Sequence, residues 1–128
     1  MKTLLDTHTF LWWSNDPERL SDKVRTLLED RETILLLSVV SLWEIQIKAQ
    51  SGKITLTIPL AALINSQQQT NRVQILPVTL AHVLALDDLP MHHKDPFDRL
   101  LIAQANVENA LLASVDAVFR QYPVNLIW

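Results

Sequence analysis

The stretch TILLLSVVSLWEIQIKAQSG, residues 33–52, decides the fold. From Thr33 to Val39 it is apolar on nearly every residue, the pattern of a strand covered on both faces. From Ser41 the spacing becomes helical: Ser41 and Glu44 read as a capping box and Gly52 as the C-terminal stop. The same alternation runs outward in both directions. Strand-length apolar runs stand at Lys2 to Leu5, Val73 to Val78, Ala110 to Ser114 and Val124 to Ile127. Helical stretches lie between them: NDPERLSDKVRTLLED, with Asp16 as N-cap and Pro17 in first position, then IPLAALINSQQQ, then TLAHVLALDDL opening on Thr79. Only KITLTI (residues 53–58) is ambiguous, readable as an extra strand or hairpin arm.

Strands of this kind joined by helices predict an α/β fold, a central, mostly parallel sheet with helices on both faces. One glycine and six scattered prolines leave no flexible linker, so a single domain over residues 1–128 is expected. In such sheets the ligand site lies off the carboxyl ends of the strands.

Composition narrows the chemistry. There is no apolar run near 20 residues, and MKTLLDTHTF has no signal-peptide pattern, so a cytoplasmic protein is expected. Without cysteine there are no disulfides or thiol nucleophiles, and any metal must be held by oxygen or imidazole. A net charge of −3 argues against nucleic-acid binding through bulk positive potential. It does not exclude an enzyme whose carboxylates hold cations that attract phosphate.

Three acids fall where the fold puts ligand sites, and a fourth stands on a helix that precedes a strand, where the path of the loop before it decides its place. Asp6 follows the first strand, Asp116 follows the Ala110 strand after one residue, and Glu44 opens the helix after Thr33–Val39. The fourth, Asp98, lies in HHKDPFDRLLIAQA (residues 92–105), where Asp95 and Pro96 read as N-cap and first helical residue. Asp98 heads a largely apolar row of Leu101, Ile102 and Ala105. Each acid has a structural reading: Asp6, Asp95 and Asp116 as caps, Glu44 as partner of Ser41 and Lys48. Capping alone does not require carboxylates to converge, and convergent carboxylates repel unless cations hold them. An oxygen-only acidic site suits Mg²⁺ or Mn²⁺ and the hydrolysis of phosphodiesters.

LLDTHTFLWW, SVVSLWEIQIK, DPFDRLLIAQA and LLASVDAVF, in this order and spacing, resemble the four acid-bearing segments of PIN-domain ribonucleases, and more closely of the VapC toxins of type II toxin–antitoxin systems. The resemblance spans nearly the whole chain. It implies a PIN-like three-layer sandwich, with Asp6, Glu44, Asp98 and Asp116 as the metal-binding catalytic acids. It further implies Asp95 as cap or support, and Ser114 as a hydroxyl that orients a carboxylate or water. It also implies Mg²⁺- or Mn²⁺-dependent endoribonuclease activity, a homodimer and a VapB-like antitoxin, with RNA processing as the alternative role.

The remaining polar and aromatic residues are read more plainly. His8, His82, His92 and His93 show no H-E-x-x-H spacing: His82 is expected on a helical surface, His92 and His93 in a loop, and His8 near the site. Arg99, Lys94 and Lys48 read as phosphate contacts or surface charges. Trp43 is expected in the core, while Trp12 or Trp13 is left for a partner. Aspartyl phosphoryl transfer ranks lower, because its second aspartate would stand where His8 does. A receiver domain would want an acidic pair at the first strand. The non-catalytic alternative is an interaction module whose acids only cap helices.

Overall fold

Five short strands, β1 (Lys2–Leu5), β2 (Ile34–Ser38), β3 (Gln74–Leu76), β4 (Leu111–Ala113) and β5 (Leu126–Ile127), form one parallel sheet in the order β3-β2-β1-β4-β5. They are seen in a computed structural model that describes residues 1–92 and 95–128. The register alternates cleanly. Leu4 stands opposite Leu36 and Leu112, and all three enter one core; Leu5 stands opposite Leu37 and Ala113, and these enter the other. Both faces are apolar, so both must be covered.

The helices are α1 (Thr7–Asn15), α2 (Asp22–Glu29), α3 (Val39–Gln50), α4 (Leu60–Asn71), α5 (Leu80–Ala85) and α6 (Pro96–Val107). Phe10 of α1, Val24 and Leu28 of α2 and Leu63 of α4 fill the Leu5 side. Leu101, Ile102 and Ala105 of α6, with Phe119 and Tyr122, fill the Leu4 side. Helix α3 serves both cores, giving Val40 to one and Ile45 to the other. Each fully buried leucine contributes roughly 1.5–3 kcal/mol of transfer free energy, so the layers are held mainly by this burial. Among the described residues no helix is long and apolar enough to cross a membrane.

Several local expectations change. Helix α3 starts at Val39, directly after β2, and not at Ser41: Ser38 has extended dihedrals and its Oγ accepts from Val40 N–H at 3.0 Å. The last residue of the strand doubles as the cap, because both roles need the same backbone region. Ser41 is then buried within the helix and Glu44 stands in its second turn, so the Ser41–Glu44 capping box does not form. Gly52 does close this helix, at φ +78, where a side chain would be strained. The expected helix from Pro17 is split into a 3-10 turn (Pro17–Arg19) and α2, because Leu20 is extended and Ser21 starts a new cap on Val24 N–H. Residues 53–58 form no strand.

Two side chains are placed opposite to expectation. His82 is buried, not surface-exposed: its Nδ1 accepts from Thr79 N–H at 3.0 Å, and its Nε2 lies 2.8 Å from Glu108 Oε2. These partners satisfy both ring nitrogens, which makes burial tolerable. Trp43 is 62% exposed, not in the core, with its ring edge-on to Phe97 at 5.1 Å. Val40, Ser41, Glu44 and Ile45 form the buried face of α3, and Trp43 falls on the outer side with Val39 and Ile47.

Candidate active site

The strand order reverses between β1 and β4: β2 and β3 are added on one side of β1, β4 and β5 on the other. The crevice at this switch point, off the carboxyl ends of the strands, is where open parallel sheets bind ligands. A cavity of about 310 Å³ lies there, lined by Asp6, Glu44, Asp95, Asp98 and Asp116 together with Thr7, His8, Lys48 and Val118. All four sequence-selected acids, and Asp95, therefore border one space.

Local sequence explains each position. Asp6 is the first residue after β1 and the N-cap of α1; its Oδ1 accepts from Thr9 N–H at 2.8 Å. Asp116 caps the 3-10 turn after β4, accepting from Val118 N–H at 3.1 Å. Asp95 caps α6 through Phe97 and Asp98 N–H, with Pro96 next in line, and Asp98 lies in the first turn. Helix α6 leads through a short turn into β4, so it runs antiparallel to that strand and its first turn lies at the carboxyl edge. The capping and site readings are thus compatible: Asp6, Asp95 and Asp116 cap and border the cavity at once.

Asp6 and Glu44 are both buried and held by hydrogen bonds. Asp6 is 7% exposed; Ser114 hydrogen-bonds its carboxylate, and Ser114 Oγ in turn accepts from Asp116 N–H at 3.1 Å. Burial nevertheless pushes the Asp6 carboxyl above its ordinary value, outweighing the hydrogen bonds from Ser114 and Thr9 that lower it. No lysine or arginine among the described residues forms an ion pair with it. Glu44 is 8% exposed and both its oxygens are engaged: Thr7 Oγ1 donates to Oε1 at 2.7 Å, and Lys48 Nζ donates to Oε2 at 2.8 Å.

The donor set fits a hard divalent cation. The carboxylates bordering the cavity are hard oxygen donors, and a cation would offset the burial cost of a charged Asp6, which its hydrogen bonds and nearby His8 relieve only in part. Among the described residues no three His, Cys, Asp or Glu side chains are arranged to hold an ion by themselves. Mg²⁺ does not require three direct protein ligands, because it retains waters and takes only one or two protein carboxylates along with substrate phosphate.

The other expected contributors divide. His8 borders the cavity, exposed, with its ring 5.9 Å from that of Trp12. Arg99 is absent from the lining: its guanidinium donates to Pro90 O at 2.8 Å, to Leu86 O at 3.4 Å and to Tyr122 Oη at 3.5 Å, bracing the turn before α6. His93 and Lys94 lie outside the described residues; His92 is exposed and edge-on to Tyr122. Trp12 and Trp13 are both half-buried against the core, Trp12 also meeting Trp128 and Arg19. Thr7 was missed in the sequence, where it reads only as the first residue of a helix. A second cavity, about 570 Å³, lies at the amino ends of the strands and mixes Glu29 and Asp30 with Arg31 and Arg72, so no single charge sign converges there.

Comparison with known proteins matches residues 3–125 to the PIN domain. Ribonuclease VapC22 of Mycobacterium tuberculosis is 30% identical over 120 residues, covering 93% of this chain and 90% of that protein. VapBC2 from Rickettsia felis, solved bound to a DNA fragment from its promoter, superposes with a TM-score of 0.76 at 18% identity, covering 99% of this chain and 98% of that one. DNA-bound VapBC from Salmonella typhimurium gives a TM-score of 0.73 at 14% identity, covering 99% and 97%.

Proposed function

The chain belongs to the PIN-domain family, and from that premise we propose that it is an Mg²⁺- or Mn²⁺-dependent endoribonuclease, the toxin of a VapBC-type toxin–antitoxin pair. One observation carries the reading: Asp6, Glu44, Asp95, Asp98 and Asp116 come from four separated segments of the chain to border one cavity at the sheet's switch point. Helix capping accounts for Asp6, Asp95 and Asp116, but neither for Glu44 nor for this convergence. We treat residues 1–128 as one PIN domain.

Asp6, Glu44, Asp98 and Asp116 hold the ion between them, one or two directly and the others through its retained waters, with Asp95 fixing the first turn of α6 so that Asp98 meets the cavity. The ion, when bound, supplies Lewis acidity at a phosphodiester oxygen and lowers the pKa of an attacking water. The chain's own residues supply orientation. Ser114 and Thr9 N–H fix the Asp6 carboxylate, and Thr7 fixes Glu44. Ligands held by such hydrogen bonds lose little rotamer freedom when the ion arrives.

The partner of such a toxin is a VapB-like antitoxin, in keeping with the structural neighbours, which are solved as VapBC complexes. A homodimer is supported by exposed apolar side chains: Val39, Trp43 and Ile47 recur every fourth residue along α3, and Leu80, Val83 and Leu84 project from α5.

Purified, antitoxin-free protein incubated with cellular RNA tests the reading, with Mg²⁺ or Mn²⁺, with chelator, and beside Asp98→Asn. Discrete cleavage that needs the ion and disappears in the folded variant is expected. Equal behaviour of parent and variant, with no effect of the ion on either, would sink it.

A further inference from the structure

Lys48 borders the acidic cavity and is the only lysine or arginine among the described residues that does so, facing five carboxylates. Its ammonium stands 2.8 Å from Glu44 Oε2, four residues back along α3, and its side chain is about one-third exposed. An exposed pair at this spacing on a helix is ordinarily a minor surface contact. Here the carboxylate is buried, its other oxygen is occupied by Thr7, and it belongs to the proposed ligand set. Thr7 is neutral and can share its oxygen with a cation. An ammonium at hydrogen-bonding distance does so at a cost, because it and a divalent ion repel each other across one carboxylate.

We propose that Lys48 is the resident counter-ion of the site: it neutralises Glu44 while the site lacks metal, gives that place up to a divalent cation, and then contacts a phosphate of the RNA. The inference rests on the metal-site reading above. The lysine stem suits the exchange. It is long, its head reaches solvent, and its three donors have no fixed geometry, so moving from carboxylate to phosphate exchanges one charge-assisted contact for another. Metal-free protein is thereby spared a buried, uncompensated glutamate. The alternative, that Lys48 merely orients Glu44 for the ion, predicts the opposite sign for its removal.

Titration of chelator-treated protein with MnCl₂ by calorimetry decides the sign, with parent, Lys48→Met and Lys48→Arg. Loss of one positive charge near a divalent ion is expected to tighten Mn²⁺ binding about tenfold in Lys48→Met. Lys48→Arg should remain near the parent. The metal-free melting temperature of Lys48→Met should fall, and saturating Mn²⁺ should raise it by more than it raises the parent's. Unchanged or weaker Mn²⁺ binding by Lys48→Met overturns the exchange and leaves the metal site standing; a parent that binds no Mn²⁺ removes the metal-site reading and this inference together. Binding of a 2′-O-methyl single-stranded RNA in saturating Mn²⁺ tests the second half. Lys48→Met should bind more weakly, with a log–log salt dependence shallower by about 0.7. An unchanged slope would show that Lys48 does not reach phosphate.

Discussion

Replacing Asp6 separates its two roles, since asparagine keeps the cap and removes the charge. Asp6 Oδ1 receives Thr9 N–H at 2.8 Å, a bond that an asparagine carbonyl can also accept. Alanine cannot, and loss of a cap costs about 1 kcal/mol. An unfolding entropy of about 2.1 cal/mol/K per residue gives roughly 0.27 kcal/mol/K for this length, so that cost corresponds to about 4 °C. In chelator, Asp6→Asn should therefore melt at least as high as the parent, and Asp6→Ala about 4 °C below Asp6→Asn. Both should lose ion-dependent cleavage and the stabilisation by Mn²⁺. The charge adds a pH signature. Burial raises the folded-state pKa above the ordinary 3.8, so the protonated form is the one the fold favours. The stability this contributes is fully present below 3.8 and lost as pH rises through the raised value. The advantage of Asp6→Asn over the metal-free parent should thus be absent at low pH and grow across that window. Scanning calorimetry and RNA cleavage on the three proteins suffice. An Asn variant as unstable as the Ala variant would refute the capping geometry; an Asn variant that still cleaves with metal would refute the ligand role.

Further outcomes follow from individual contacts. Ser114→Ala removes the hydroxyl that bridges Asp6 and Asp116 N–H, and Mn²⁺ affinity by calorimetry should fall about tenfold with the fold intact. Arg99→Met should lower stability by about 1.5–3 kcal/mol in urea unfolding, because it strands carbonyls of Leu86 and Pro90; weaker RNA binding without destabilisation would instead point to a phosphate contact. His82→Leu leaves the Thr79 N–H and the Glu108 carboxylate without their partner, at a cost of roughly 1–3 kcal/mol in the same assay. Trp43→Glu places a charge in the exposed strip on α3 and should shift the sedimentation of the proposed dimer to that of a monomer without lowering the melting temperature.

The parallel α/β class was legible in the chain because it rests on local pattern; Asp6, Glu44 and Asp116 could be named as candidates in the same way, and Asp98 through the family resemblance. Runs of strand length at Lys2–Leu5 and around Leu35–Leu37, alternating with helical spacing, read as strands buried on both sides, and Asp6 and Asp116, just beyond strand ends, fall at the site edge of such a sheet. The errors share a cause. Ser38 and Ser41 are equally good caps in isolation, and the choice between them fixed the phase of α3. That phase carried Trp43 outward and placed Glu44 in the second turn. His82 looked like a surface residue because its partners, Gln104 and Glu108, are more than twenty residues away.

What the sequence determined by itself was therefore the order of elements and the residue types available for chemistry, both set by short-range periodicity and by side-chain identity. Only the tertiary structure decided which carboxylates share a cavity, which of their oxygens Thr7, Ser114 and Lys48 engage, and that Arg99 braces a turn and does not border the site. Those contacts join residues brought together by strand order and helix phase. Helix phase turns on competition between neighbouring caps worth about 1 kcal/mol each, too small a margin for local pattern to resolve before the helix is packed.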